Sequence, residues 1–279
     1  MKATLLLVLL PMLALAQKPM QINGKDIGMV SFTYRNSLSK DMAKTLDTLK
    51  NQGITDMEFS SLFGKTAQEV RSLLDERGMK CSSFGVGMAD ALNKTDQVGE
   101  NAKILGASFV RVAWIPHTGP FTLELAQKTA QEFNQIGKTL KEKYDLTFCY
   151  HNHGFEFEPY GEGTLFDYLV QNTDPKFVSY EMDILWTFFP GQNPATLLEK
   201  YGNRFKLMHL KDLKKGVQGN MSGGTSVEND VALGSGQLNI PEIMKAAKKA
   251  KIQHYYLEDE SSRYPVQTRQ SRTYLSNLK

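Results

Sequence analysis

A chain of 279 residues with 33 Lys and Arg against 30 Asp and Glu carries a formal charge of only +3, and no basic run or aromatic-basic stripe concentrates it. That argues against a nucleic-acid footprint. A hydrophobic share of 41% and a charged share of 23% are those of an ordinary globule and exclude a disordered or membrane-embedded chain.

The first residues read as a leader. Lys2 gives a positive start, residues 5–15 form a short apolar core, and Ala14, Leu15 and Ala16 make a small-x-small cleavage signal before Gln17. The core is short of the ~20 residues that a membrane span needs. An uncleaved anchor is the alternative. The expectation is a signal peptide over 1–16, an exported protein of the periplasm or the medium, and one domain over 17–279. The two cysteines, Cys81 and Cys149, fall in the third and fifth predicted strands. They are expected as buried free thiols, although export would permit a disulfide.

The first strand is expected over 27–32. A unit then repeats, in which an amphipathic helix ends at Gly and a strand follows at once. Residues 39–52 lead through Gly53 into a strand over 54–59, residues 66–77 through Gly78 into 79–84, and residues 96–105 through Gly106 into 108–114. Gly suits the left-handed position just past a helix, and Thr66 with Glu69 has the spacing of a capping box. A long helix over 122–143 carries Leu125, Phe133, Ile136 and Leu140 near one face and precedes the fifth strand. Then come a helix over 164–171, a strand over 177–182, a helix over 194–201 and a strand over 205–210. Asn239 caps the next helix, with Pro241 and Glu242 in its first turn. A strand over 252–258 and a helix over 265–278 close the series.

Eight strands alternating with eight helices predict an α/β fold with a parallel sheet, closed as a (β/α)8 TIM barrel. A doubly wound open sheet is the rival, but no G-x-G-x-x-G opens the first unit. The long irregular stretch over 214–237 contains Gly216, Gly219, Gly223, Gly224, Gly234 and Gly236. After a seventh strand it would overhang the C-terminal face, as a lid or substrate-contacting loop, or else be a plain insertion.

Four consecutive strands end in groups that bind metal or move protons. The fifth offers His151, His153 and Glu156, the sixth Asp183, the seventh His209 and the eighth Glu258. Singly, an Asp at a strand end is more often a helix cap and a lone His a satisfied core residue. Four strand ends together argue for a site. Imidazole with carboxylates suits one Mn²⁺, Zn²⁺, Co²⁺ or Fe²⁺ ion and is too nitrogen-rich for a Ca²⁺ cage. Lys211, two residues beyond His209, shares its face and could hold a developing oxyanion, or else pair with Glu181 or Asp183. Trp114, Trp186 and Tyr34, with Phe32, sit near strand ends and could stack on sugar faces or pack in the core. His117 is a weaker candidate in a loop, and His254, early in the eighth strand, reads as structural.

Tyr150-His-Asn-His-Gly-Phe-Glu-Phe157, Met208-His-Leu-Lys-Asp212, Leu233-Gly-Ser-Gly-Gln-Leu238 and Tyr256-Leu-Glu258 resemble, in this order and spacing, the xylose-isomerase-like sugar phosphate isomerase/epimerase superfamily. The resemblance covers essentially the whole chain after the leader. It implies a divalent ion held by Glu, Asp, His and Glu from strands five to eight, with Asp183, His209 and Glu258 in the last three places. The first place departs, because many relatives have Glu-Asn-His where this chain has His151-Asn152-His153. The ligand is then His151 or Glu156. Glu156 is preferred because it restores the charge balance, which frees His151 or His153 as acid/base beside Lys211.

The implied chemistry is proton removal beside a carbonyl. Export argues against phosphorylated substrates and for a neutral keto-sugar or keto-glycoside. Three readings compete: a sugar isomerase or epimerase, a 3-keto-glycoside lyase or hydratase, and a metal-bearing sugar-binding protein without turnover. The expected partner is a small-molecule carbohydrate, with a homodimer admissible. Nucleic acid is not expected as a partner, nor is a membrane once the leader is removed.

Overall fold

The computed structural model describes residues 19–278. The expected leader over 1–16 lies outside them, and no described helix is long and apolar enough to cross a membrane.

Eight strands form the barrel: β1 (Lys25–Val30), β2 (Asp56–Phe59), β3 (Lys80–Val86), β4 (Phe109–Val112), β5 (Thr147–His151), β6 (Val178–Asp183), β7 (Phe205–Leu210) and β8 (His254–Leu257). Each pairs in parallel with the next, and β8 pairs in parallel with β1, so the sheet closes on itself. The principal helices are α1 (Met42–Asn51), α2 (Ala67–Asp75), α3 (Thr95–Leu105), α4 (Leu123–Tyr144), α5 (Leu165–Gln171), α6 (Pro194–Tyr201), α7 (Ile240–Ala250) and α8 (Tyr264–Ser276). This is a (β/α)8 TIM barrel.

Local chemistry sets the boundaries. Thr66 and Glu69 form the reciprocal capping box that opens α2, and Gly106 ends α3 in the left-handed region at φ 77°. The helix expected over 39–52 is divided instead. Asp41 leaves helical geometry and accepts a hydrogen bond from the Lys44 N–H at 3.0 Å, so a short helix, Arg35–Lys40, precedes α1. Two further short helices, Met88–Asn93 and Ile184–Phe188, and a strand Gln21–Ile22 antiparallel to β1 were not legible in the periodicity. The stretch over 214–237 is partly ordered by local pairing, since Asp212–Leu213 runs antiparallel to Asp230–Val231.

The apolar core has two compartments. The larger lies between strands and helices and includes Leu46, Val70, Phe133, Ile136, Tyr180 and Met208. A small separate cluster of Val30, Phe109, Cys149, Leu207 and Tyr256 completes the packed interior. Cys81 and Cys149 are both buried and free, with β4 between their strands. Side chains two apart on a strand share a face. Arg111 therefore follows Phe109, His151 follows Cys149, and His209 follows Leu207, each toward the C-terminal end.

Candidate active site

The parallel register sets His209 beside Asp183 and Leu210 beside Leu257, which places Glu258 one step beyond the end of β8. His151, Asp183, His209 and Glu258 each offer one ligand atom, and these atoms lie within 4.8 Å of one another. His151 Nε2 is 3.0 Å from His209 Nδ1 and 3.4 Å from Asp183 Oδ2. His209 Nδ1 is 2.9 Å from Glu258 Oε2.

Asp183 divides its two oxygens between two duties. Oδ1 accepts the N–H groups of Leu185 and Trp186 at 2.8 and 3.0 Å and caps the helix Ile184–Phe188. Oδ2 is buried with no hydrogen-bond partner. The helix-cap reading and the ligand reading of this residue are thus compatible.

Beneath this group lies a layer that sequence reasoning missed. His209 Nε2 stands 2.8 Å from Glu58 Oε1 and 3.3 Å from Glu181 Oε2. The Arg111 guanidinium bridges the same two carboxylates, at 2.9 and 3.4 Å. All four side chains are buried. Glu58, Glu181 and His209 also meet as a group of three, but Arg111 already neutralises that space, so the four-residue group above suits a cation better. The available signal was an ionisable residue inside each apolar strand, Glu58 in β2 and Arg111 in β4, because buried charges are expensive unless paired.

The electrostatics follow from this crowding. Burial opposes the His209 imidazolium, but Glu181, Glu58 and Glu258 outweigh it and hold its pKa well above the ordinary range. Burial, helped by Glu58, pushes Glu181 up to about 7. Burial also raises Glu258, yet Lys211 and His209 overcome that and keep it well below the usual carboxylate range. His151 and His153 are both held well below the ordinary histidine value, by burial first and then by a neighbouring imidazole, His209 and His151 respectively.

The structure does not bring Glu156 to the group, and the expectation of a ligand there is corrected. Glu156 is fully buried, accepts the Tyr150 hydroxyl, and accepts the His153 N–H through both oxygens at 2.9 and 3.1 Å. It braces the turn that carries His153, and of the strand-five candidates it is His151 that meets Asp183, His209 and Glu258. The His153 ring lies 4.9 Å from that of His151 and stacks between Phe155 and Trp186. Lys211 is 1% exposed and pairs with Glu260 at 2.8 Å and with Glu258 and Asp230 at 3.7 Å, and with neither Glu181 nor Asp183. Its ammonium lies 5.5 Å from the Trp186 ring centre.

A cavity of about 480 Å³ opens beside this group, lined by Trp114, Trp186, His151, His153, His209, Arg111, Asp230, Glu258 and Glu260. Gly223 to Val227 of the glycine-rich stretch line it too, so that stretch overhangs the face. Two expected substrate contacts are corrected. Tyr34 is buried with its ring 4.8 Å from Tyr264 of α8, on the helix side of the wall. His117 stacks against Trp114, packs at a tilt against Phe155 and is not among the residues that line the cavity. His254 is 2.9 Å from Asp56 Oδ2, in the structural role expected of it.

This chain belongs to the xylose isomerase-like TIM barrel family, whose model matches residues 46–278. It is 36% identical to an inosose dehydratase of Bacillus anthracis over 199 residues, which are 70% of this chain and 60% of that one. The chain spans 60% or less of the length of the inosose dehydratases it matches. A solved sugar phosphate isomerase/epimerase of Parabacteroides distasonis superposes with a TM-score of 0.75 at 24% identity, covering 95% of this chain and 99% of that one. The IolI protein, solved with a bound zinc atom, superposes with a TM-score of 0.71 at 14% identity over 90% of this chain and 94% of that one.

Proposed function

We propose that this chain is a divalent-metal-dependent enzyme that removes a proton beside the carbonyl of a non-phosphorylated keto-sugar, as a sugar isomerase or epimerase. The observation that carries this reading is the convergence of His151, Asp183, His209 and Glu258, three of which, His151, His209 and Glu258, line a pocket that also holds His153. Their chemistry fits a cation. Two imidazole nitrogens and two carboxylate oxygens suit Mn²⁺, Zn²⁺ or Co²⁺, and the buried Asp183 Oδ2 has no hydrogen-bond partner. The remaining nitrogen of His209 is oriented by Glu58, the arrangement that ligating histidines use. That the IolI neighbour was solved with a zinc atom supports a metal in a barrel of this fold, without saying which residues hold it. When bound, such an ion lowers the cost of negative charge growing on a carbonyl oxygen.

The protein's own residues supply the rest. His153, kept neutral by burial, accepts the proton. Its ring is fixed by Phe155 and Trp186, and its backbone by Glu156. The Lys211 ammonium lies behind Glu258 and Glu260, which line the cavity, and its role in this reading is to favour an oxyanion beside them. The overhanging residues over 223–227 restrict water. The acids Asp230, Glu258 and Glu260 line the pocket, while Arg111 is spent on Glu58 and Glu181, so a phosphate would meet like charge.

A second reading, lyase or hydratase action on a 3-keto-glycoside, shares the first step and is favoured by the identity to inosose dehydratases. The leader pattern supports export, with a mature N-terminus at Gln17 to be read by mass spectrometry. The functional test offers free ketoses and keto-glycosides to the metal-loaded protein in deuterated water, followed by NMR. Deuterium should enter beside the carbonyl and vanish with chelator. An isomeric sugar in the product supports the first reading, and a released aglycone together with the unsaturated keto-sugar, or with that sugar's hydrate, the second. No exchange with any member of either class would overturn both.

A further inference from the structure

The sugar chemistry accounts for the floor of the pocket and leaves its rim unexplained. Among the described residues the large apolar side chains with substantial exposure are Phe32, Ile104, Trp114, Tyr160, Val227 and Val266. Ile104 on α3, Val266 on α8 and Tyr160 in a short hairpin lie in separate elements, and scattered apolar side chains of this kind are ordinary on a soluble surface. The other three line one cavity, the candidate active site. Phe32 follows β1, Trp114 follows β4, and Val227 belongs to the overhanging stretch, so three separate segments bring apolar groups to one mouth.

Two of these groups are also held in place. The Trp114 indole stacks on His117, with ring centres 5.7 Å apart, and meets Phe155 and His153 edge-on at 4.9 and 5.1 Å, yet it remains 45% exposed. The Arg35 guanidinium sits 4.3 Å over the Phe32 ring and donates to the Phe32 carbonyl, and the ring remains 38% exposed. Aromatic rings fixed in place and left wet offer contact area at low ordering cost to whatever covers them. The polar floor of His151, His153, His209 and Glu258 would be poorly matched to an apolar ligand. A ligand that satisfies both levels has an oxygen-rich ring joined to an apolar group.

We propose that Phe32, Trp114 and Val227 form a subsite for an apolar, preferentially aromatic, aglycone carried by the sugar ring, so that aryl glycosides in keto form are the substrate class. The inference rests on the keto-sugar reading for what occupies the floor. It also separates the substrate from a free cyclic ketose, which would leave the rim uncovered.

The test is binding of unreactive ligands to the full-length, metal-loaded protein by calorimetry, which does not depend on turnover. Phenyl glucoside should bind about tenfold more tightly than methyl glucoside, the scale of one well-packed aromatic contact. Phe32→Ala, Trp114→Ala and Val227→Ser should each lower that ratio, the Trp114 variant to near one. A general structural defect would weaken both ligands alike and preserve the ratio, so an unchanged ratio in all three variants overturns the subsite. Equal affinities in the wild type, tighter binding of cellobiose than of phenyl glucoside, or no binding of any of the three also overturn it. A phenyl preference without deuterium exchange on any keto-sugar would retain the subsite and reject the proposed reaction.

Discussion

The two ends of the barrel interior use the same kinds of side chain and leave them in different states. At the N-terminal end, Ser82 donates to Asp56 at 2.6 Å and lies 2.6 Å from the Tyr256 hydroxyl, while His254 closes on the other Asp56 oxygen at 2.9 Å. No buried side-chain polar atom of these four residues lacks a partner. At the C-terminal end, Asp183 Oδ2 and the Nδ1 atoms of His151 and His153 are buried without hydrogen bonds. Acids and histidines inside a barrel therefore do not mark a site by themselves. What distinguishes the functional end is valence the protein leaves unfilled, beside a cavity that can fill it.

Arg111 should be the most costly residue to remove, because it holds the charged layer under the site. Arg111→Met leaves Glu58 and Glu181 buried with only His209 between them, and should destabilise the fold by about 3–5 kcal/mol. Denaturant melting checks this, and a loss under 1 kcal/mol would mean that the layer is not held by its charges. Lys211→Met should act on rate instead. Turnover should fall by roughly 100-fold, the scale of one lost oxyanion-stabilising group, with bound metal retained. Wild-type kcat in that variant would reduce the lysine to a structural partner of Glu260.

Glu156 gives a test with a definite sign. Burial pushes it up to about 7, against the opposing hydrogen bonds of Tyr150 and the His153 N–H. The folded state thus keeps a proton that the unfolded chain releases near its ordinary value. The stability this group supplies is complete below that ordinary value and is lost as pH rises through about 7. Glu156→Gln stays neutral, so its stability relative to wild type should improve between pH 5 and pH 8, by at most roughly 3 kcal/mol. Parallel pH profiles, or loss of bound metal in this variant, would return Glu156 to the ligand set. The smallest effect belongs to the satisfied end. His254→Gln should cost about 1 kcal/mol and leave metal content and kcat/KM unchanged, and a loss of metal there would erase the contrast between the two ends.

The barrel itself was legible because helix, glycine and strand repeat with few exceptions, and because parallel strands must deliver their C-terminal residues to one side. That Asp183, His209 and Glu258 meet was legible for the same reason. The strand-five choice was not. His151 and Glu156 both lie within reach along the chain, and only the turn over 152–155 decides that Glu156 folds back under His153. Tyr34 was misplaced because position at a strand end does not say which wall a side chain faces once the 3-10 turn Ser31–Tyr34 begins. The Glu58–Arg111–Glu181 layer was overlooked because each member sits alone in an apolar strand. Their pairing depends on three strands meeting across the barrel, which no local pattern records.

In the proposed site His151, Asp183, His209 and Glu258 together hold a divalent ion. This is tested most directly by calorimetric titration of Mn²⁺ and Zn²⁺ into the metal-free protein, its Asp183→Asn and His151→Ala variants, and His254→Gln as control. One ion per chain should bind to the wild type and to the His254 variant, with affinity reduced by at least about 100-fold in the other two. Wild-type affinity in both the Asp183 and His151 variants, or no binding to the unaltered protein, would rule out this four-residue site.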